Sequence, residues 1–187
     1  MAHGHGDGQA SDWVIRWSAA LPAGSTVLDL ACGSGRHVRV LAQRGLAVTA
    51  VDRDAQAVAP LRELPGVAEV IVADLENEPW PLPGRRFDAV VVTNYLWREL
   101  WPKLVESLAP GGLLIYETFS IDQASIGKPS NPAFLLRHGE LLELSHGLRV
   151  LGYEDGFVAQ PDRFVQRIAA LQPPHSALSA PPARYPL

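Results

Sequence analysis

In the stretch VLDLACGSGRH, residues 27 to 37, an aspartate, Asp29, precedes a turn bracketed by Gly33 and Gly35. Glycines there permit a tight turn and close backbone approach, and a helix starting at their end presents free N–H groups. A turn of this kind after a buried strand holds a nucleotide-like molecule. The carboxylate restricts which one: unit charges about 4 Å apart interact by roughly 4 kcal/mol at an effective dielectric of 20. Asp29 therefore repels a diphosphate and favours an ammonium or sulfonium. The third small residue of a dinucleotide turn, G-x-G-x-x-G/A, is also missing, since Val38 stands in its place.

Further candidates fall where other strands are expected to end. Asp52, followed by Arg53, closes the second apolar run; a carboxylate there accepts two hydrogen bonds from a vicinal diol, the usual partnership with a ribose. Asp54 is an equal candidate for capping the helix that follows. Asp74 and Leu75 close the third run, where a carboxylate can accept from the exocyclic amine of a base and an apolar neighbour can cover its ring. Asn94 and Tyr95 close the fourth. Glu117, inside LLIYETF, is costly to bury unless it sits at the open end of its strand or pairs with an arginine or a backbone donor. His37 opens a helix, where it either donates to a nearby carbonyl or contacts a ligand. Cys32 reads as a small buried hydrophobe.

The elements that position these residues follow one pattern: a short β-branched run, a polar or glycine-rich end, then a helical segment. Strands are expected at 26–31, 47–52, 68–73, 87–93 and 112–118, with helices near 36–44, 54–63 and 98–108. Gly45 and the run Pro110-Gly111-Gly112 act as stop signals, and Pro60 weakens the second of these helices. Ser11 is a good N-cap for a helix carrying Trp13 and Trp17 on one face. Alternating strands and helices imply parallel strands joined by right-handed crossovers. After Ser120 the pattern changes to a loop, a helix at 139–145, and two runs, 148–158 and 162–171, that read as an antiparallel hairpin. The fold class is thus α/β, a Rossmann-like doubly wound sheet of about seven strands, mostly parallel with a C-terminal antiparallel hairpin.

At 187 residues, 47% hydrophobic and 19% charged, the chain fits one domain over 11–171. A glycine-rich arm over 1–10 precedes it, with His3 and His5 assigned no metal, and a proline-rich tail over 172–187 follows. The net charge of −4, with 16 scattered lysines and arginines, disfavours nucleic acid. No apolar run reaches membrane-spanning length. One cysteine and no secretory leader pattern make the cytoplasm the default location.

The combination of VLDLACGSGRH, Asp52 at a strand end, Ala73-Asp74-Leu75 and a Pro-Gly-Gly run before a strand resembles the class I S-adenosylmethionine-dependent methyltransferases, over about Ser11 to Leu171. The spelling GSGRH with NYLWREL and LLIYETF is similar to the tellurite-resistance-like small-molecule group. The resemblance implies S-adenosylmethionine as cofactor and S-adenosylhomocysteine as product. Asp29 and the backbone from Ala31 through Cys32 and Gly33 to Gly35 would face the methionine part, with Arg36 or His37 near its carboxylate. Asp52 would hold the ribose, with Arg53 also counted among the cofactor-binding residues, Asp74 and Leu75 would contact the adenine, and Asn94 and Tyr95 would lie beside the methyl group. Ala31 departs from the family pattern, which has its first glycine there. No catalytic residue is assigned; Tyr95, Glu117 and His37 are the candidates for a proton acceptor or positioning group. The acceptor is expected to be a small molecule under a lid near 120–146, where Phe134, Leu135 and Leu136 would supply apolar surface and Arg137 and His138 polar handles. A nucleic-acid or protein methyltransferase, a nicotinamide oxidoreductase and a non-catalytic cofactor-binding regulator are the alternatives.

Overall fold

The computed structural model describes residues 8–174 and residue 185. Most of the expected arm, with His3 and His5, and most of the expected tail lie outside the described residues. Among those described, no helix is long and apolar enough to cross a membrane.

Seven strands form one sheet: β1 (Thr26–Leu30), β2 (Ala47–Asp52), β3 (Val67–Val72), β4 (Phe87–Thr93), β5 (Leu108–Phe119), β6 (Arg149–Val158) and β7 (Arg163–Leu171). Their order is β3-β2-β1-β4-β5-β7-β6. The pairings from β3 through β5 are parallel, while β7 runs antiparallel to both β5 and β6. This is the doubly wound sheet with a terminal hairpin that the repeating pattern demands. Strand order reverses between β1 and β4, so the crevice beyond their carboxyl ends is where such a sheet takes a ligand.

Helices cover both faces. Residues α1 (Asp12–Ser18), α2 (Arg36–Gln43) and α3 (Ala55–Val58) accompany a core built on Val27, Val48, Val91, Ile115 and Ala169. On the other face α4 (Trp101–Glu106) and α5 (Glu140–Leu144) join a core of Leu28, Val90, Leu114, Tyr116 and Ile168. The alternation of odd and even positions between the two cores is the period-2 rule of a strand buried on both sides. Trp13 and Trp17 pack edge to face at 5.5 Å, and Gly152 on β6 leaves the room they need: a Cβ there would stand 2.5 Å from the Trp17 ring.

Three expected boundaries shift, each because of a backbone feature. The helix foreseen over 54–63 is one α turn, α3, followed by a tighter 3-10 segment Ala59–Glu63 whose first turn contains Pro60. The helix foreseen over 98–108 starts as a 3-10 turn, Arg98–Leu100, and becomes α4 with Pro102 in its first turn, where a missing N–H costs nothing. Pro110-Gly111-Gly112 does not precede β5 but interrupts it as an irregularity, opposite a register shift between Phe87 and Ala89 of β4. Glycine is required at 112 because a Cβ would stand 2.8 Å from Ala109 O and 2.9 Å from Phe87 O.

Candidate functional site

The turn after β1 is built from left-handed residues: Ala31 has φ 53°, Gly33 55° and Gly35 81°. Gly35 opens α2, and its missing side chain is filled by Leu61, whose Cδ atoms would stand 2.5 and 2.7 Å from a Cβ. Gly33 differs, because a Cβ there would meet nothing within 4 Å; the space beside this turn is open. Ala31 takes its left-handed conformation without being glycine, at a cost of about 1 to 2 kcal/mol. The turn is held from the next strand. Asp52 Oδ2 accepts from Gly33 N at 2.7 Å and Oδ1 accepts from Asp54 N at 2.9 Å. Each oxygen keeps a lone pair free for a further donor. The capping of α3 falls to Asp54, which accepts from Gln56 N and Ala57 N.

Asp29 is fully buried on the α1 and α2 side of the sheet, and neither of its oxygens has a hydrogen-bond partner. Burial pushes its carboxyl up to about 8, with the Arg36 guanidinium pulling down and Asp52 pushing up. A buried carboxyl in this condition is incomplete until a cation or a donor reaches it. Cys32 is buried, and its thiol pKa is driven far above the ordinary thiol value by burial and then by Asp29 and Asp52, which makes it inert toward electrophiles.

Beside Asp29 lies a buried polar cluster. Glu117, opposite Thr93 on β4 and Arg167 on β7, is fully buried. Its Oε1 accepts from Arg163 Nη1 at 3.0 Å; its Oε2 lies 3.0 Å from Arg167 Nε and accepts from Ser11 Oγ at 2.9 Å. Of the two readings its sequence context allowed, pocket group or arginine partner, the contacts are those of the second. His37 is 1% exposed; its Nε2 accepts from Ser11 N at 3.1 Å, so Nδ1 carries the proton and donates to Thr93 Oγ1 at 3.3 Å. Burial, then the charges of Arg36 and Arg163, push His37 down to about 3, so the ring is neutral. Burial also draws Arg36 below its ordinary value.

At the switch point a cavity of about 380 Å³ opens beyond the strand ends. It brings together seven of the residues expected to hold the cofactor: Ala31, Asp52, Arg53, Asp74, Leu75, Asn94 and Tyr95. Asp29, Cys32, Gly33, Gly35, Arg36, His37 and Glu117 do not line it; they lie behind its Ala31 end, in the turn and under the segment that begins at Ser11. Asp74 doubles as a turn former, accepting from Asn77 Nδ2 at 2.9 Å and Glu76 N at 3.0 Å, bonds that lower its pKa. Asn94 has φ 53°, its N donates to Glu117 O at 2.9 Å, and its buried Oδ1 has no partner. Tyr95 is pushed far up by burial and by the nearby Glu76 and Asp74; its carbonyl accepts from Tyr116 Oη at 2.6 Å.

Sequence reasoning missed Glu76, Thr118, Phe119 and Pro129 on the cavity wall. Thr118 and Phe119 end β5 and were discoverable by the rule that singled out Asn94; Pro129 is delivered by a loop and left no local signal. The expected lid surface is also partly corrected. Phe134 lines the cavity, but Leu135 and Leu136 are buried in the core, Arg137 pairs with Glu143, and His138 lies on the surface between Asp122 and Asp155. The wall is fixed by Arg98, whose Nε and Nη2 hold Glu140 at 2.6 and 3.0 Å. Its Nη1 and Nη2 donate to the carbonyls of Ala133 and Leu135, both at 2.9 Å. Among the described residues no group of three His, Cys, Asp or Glu is placed to hold a metal.

Residues 27–112 match a family described as a methyltransferase domain. Trans-aconitate 2-methyltransferase of Paracidovorax citrulli is 38% identical over 102 residues, 50% of this chain and 38% of that protein. Ribosomal protein L11 methyltransferase of Bordetella parapertussis is 36% identical over 122 residues, 62% of this chain and 38% of that protein. The chain thus spans well under half the length of the curated relatives it matches. Among solved structures, TehB from Haemophilus influenzae superposes with a TM-score of 0.67 at 21% identity, covering 85% of this chain and 61% of that one. The N-methyltransferase NodS from Bradyrhizobium japonicum gives 0.68 at 17%, covering 86% and 92%; at these identities the likeness is one of fold. Residues 27–112 thus match a methyltransferase domain, and the sheet order and acid-led glycine turn around them are those of the fold shared with these solved methyltransferases.

Proposed function

We propose that this chain transfers a methyl group from S-adenosylmethionine to a small-molecule acceptor. The observation that carries the reading is Asp29, a fully buried carboxyl with two unpartnered oxygens on the strand that leads into the glycine turn. An ammonium group would donate to both oxygens, and a diphosphate, which carries only acceptors, would not. When bound, the cofactor supplies a methyl group on a sulfonium, which an acceptor lone pair takes in line as the carbon–sulfur electron pair returns to sulfur.

The chain's own residues bind, orient and exclude water. Asp29 would take the amino group of the methionine part, and Arg36, with Arg163 in its field, its carboxylate. His37 is a poor choice for that carboxylate, because both ring nitrogens are already engaged. Asp52 would accept from the ribose with the lone pairs left over from Gly33 and Asp54, and Asp74 and Leu75 would border the adenine. Asn94 and Tyr95 would border the reacting carbon. Since the electrophile arrives activated, alignment and dehydration are the protein's main share, and no buried base is needed for an acceptor that enters deprotonated or loses its proton to water. The test is calorimetry with S-adenosylhomocysteine and NADH, followed by radiolabelled methyl transfer to thiols, phenols, amines and carboxylates. Binding of S-adenosylhomocysteine alone, with transfer to one class, is expected; binding of NADH alone overturns the reading.

The similarity to ribosomal protein L11 methyltransferase favours a protein acceptor as the second reading. Labelling of a protein band in lysate, with no small molecule accepting, would select it.

A further inference from the structure

The cavity changes character along its length. Towards the ends of β2 and β3 it carries the carboxylates of Asp52, Asp74 and Glu76 and one guanidinium, that of Arg53. Towards the end of β5 it is walled by Leu96, Thr118, Phe119, Pro129 and Phe134, none of them ionisable. Phe134 is 45% exposed, yet it is not a loose surface ring. Arg98 binds the carbonyls on both sides of it, Ala133 and Leu135, and is itself held by Glu140, whose second oxygen also accepts from Arg137 N at 2.8 Å. An apolar ring fixed half in water by ion-paired hydrogen bonds is a surface prepared for apolar contact.

With the acids of the β2 and β3 end turned to the cofactor, a polycarboxylate would end against a wall whose polar groups are the Thr118 hydroxyl and, beside the reacting carbon, Asn94 and Tyr95, with no lysine or arginine among its lining residues. Its dehydration would go uncompensated. An uncharged ring or alkyl body meets no such opposition. The acceptor of the trans-aconitate enzymes does not carry over by similarity, because that match covers 50% of this chain and 38% of that protein.

The geometry points to an acceptor that is small, uncharged and largely apolar, an aromatic or alkyl body with one nucleophilic oxygen, nitrogen or sulfur, with Phe134 as its specificity-determining wall and Arg98 as the residue that positions that wall. This rests on the methyl-transfer reading, and the experiment separates the two. S-adenosylhomocysteine binding is measured first by calorimetry; its absence removes both. With the protein saturated, p-cresol, indole and trans-aconitate are titrated and followed by ligand-observed NMR, and each is offered with radiolabelled S-adenosylmethionine. The neutral probes are expected to bind and trans-aconitate not to. Phe134→Ala should weaken the neutral probes at least tenfold and Phe134→Leu far less, with S-adenosylhomocysteine affinity unchanged in both. Arg98→Lys, which keeps the charge and loses the planar fork, should weaken the same probes and spare the cofactor product. Preferred binding or methylation of trans-aconitate, or neutral-probe affinity indifferent to Phe134→Ala, overturns the proposal and leaves methyl transfer standing.

Discussion

Ser11 Oγ donates to Glu117 Oε2 at 2.9 Å while accepting from Trp13 N at 3.2 Å, so one hydroxyl both caps α1 and ties it to β5, 106 residues away. The backbone N of the same residue donates to His37, which ties it to α2. The N-terminal helix is therefore anchored where the cofactor's methionine part is proposed to lie.

Glu117→Gln removes the charge that faces Arg163 and Arg167, whose side chains are only 16% and 12% exposed. Loss of one partner from a buried pair costs about 3 to 5 kcal/mol, and for a domain of this size the melting temperature should fall by roughly 2 to 4 °C per kcal/mol. Ser11→Ala should cost about 1 kcal/mol and raise amide exchange at Trp13. Unchanged exchange would mean that the hydroxyl holds nothing.

Asp29 is protonated in the folded protein at pH values where the unfolded chain is ionised, between 3.8 and about 8. The native state binds more protons, so this group's contribution to stability falls as pH rises through that window. Asp29→Asn should therefore stabilise the cofactor-free protein at pH 8, by on the order of a few kcal/mol, with the gain vanishing below pH 4, and should abolish cofactor binding. In the wild type, an ammonium brought against Asp29 lowers its pKa, and binding of S-adenosylhomocysteine at pH 7 should release about one proton. Calorimetry in buffers of different ionisation enthalpy reads this directly, and a proton count of zero would remove Asp29 from the ammonium site.

His37 has the opposite sign. Its folded pKa, about 3, lies below the ordinary 6.5, so its contribution is complete above pH 6.5 and is lost as pH falls toward 3. The destabilisation caused by His37→Asn, taken from urea midpoints, should be smaller at pH 5 than at pH 7.5 by about 2 kcal/mol. A gap of equal size at both pH values would show that the ring is not held neutral.

Ala31→Gly removes the left-handed penalty at φ 53° and should stabilise the protein by about 1 kcal/mol, with no loss of S-adenosylhomocysteine affinity. A lower melting temperature instead would show that the Ala31 methyl, on the cavity wall, contributes more by packing than its conformation costs.

Strands β2 and β4 fall at the boundaries read from the chain because β-branched runs buried on both faces leave no competing period, and Asp52 and Asn94 follow from them, since a parallel sheet delivers the residues at its strand ends to one edge. What was hidden depends on pairing or on loops. Glu117 could be resolved only once register set it opposite Arg167, although Arg163 and Arg167 share one face of β7 and hinted at a buried acid. Pro102 splits a helix whose apolar spacing looked continuous, while the break at Pro60 was signalled by the proline itself. Pro129 reaches the wall from a loop with no pattern of its own, and Phe134, expected as lid surface, is set there by the grip of Arg98 on Ala133 and Leu135.

The wall also has a self-contained geometry. Ile121 N donates to Leu136 O at 2.8 Å and Leu136 N to Phe119 O at 2.9 Å, so the excursion that carries Pro129 and Phe134 leaves the sheet and returns to it at adjacent points. A stretch whose two ends are already stitched together can be lengthened, shortened or exchanged between relatives without disturbing strand pairing. Descendants of this scaffold could thus acquire new acceptors by swapping a single cassette, with the machinery at Asp29 and Asp52 inherited intact.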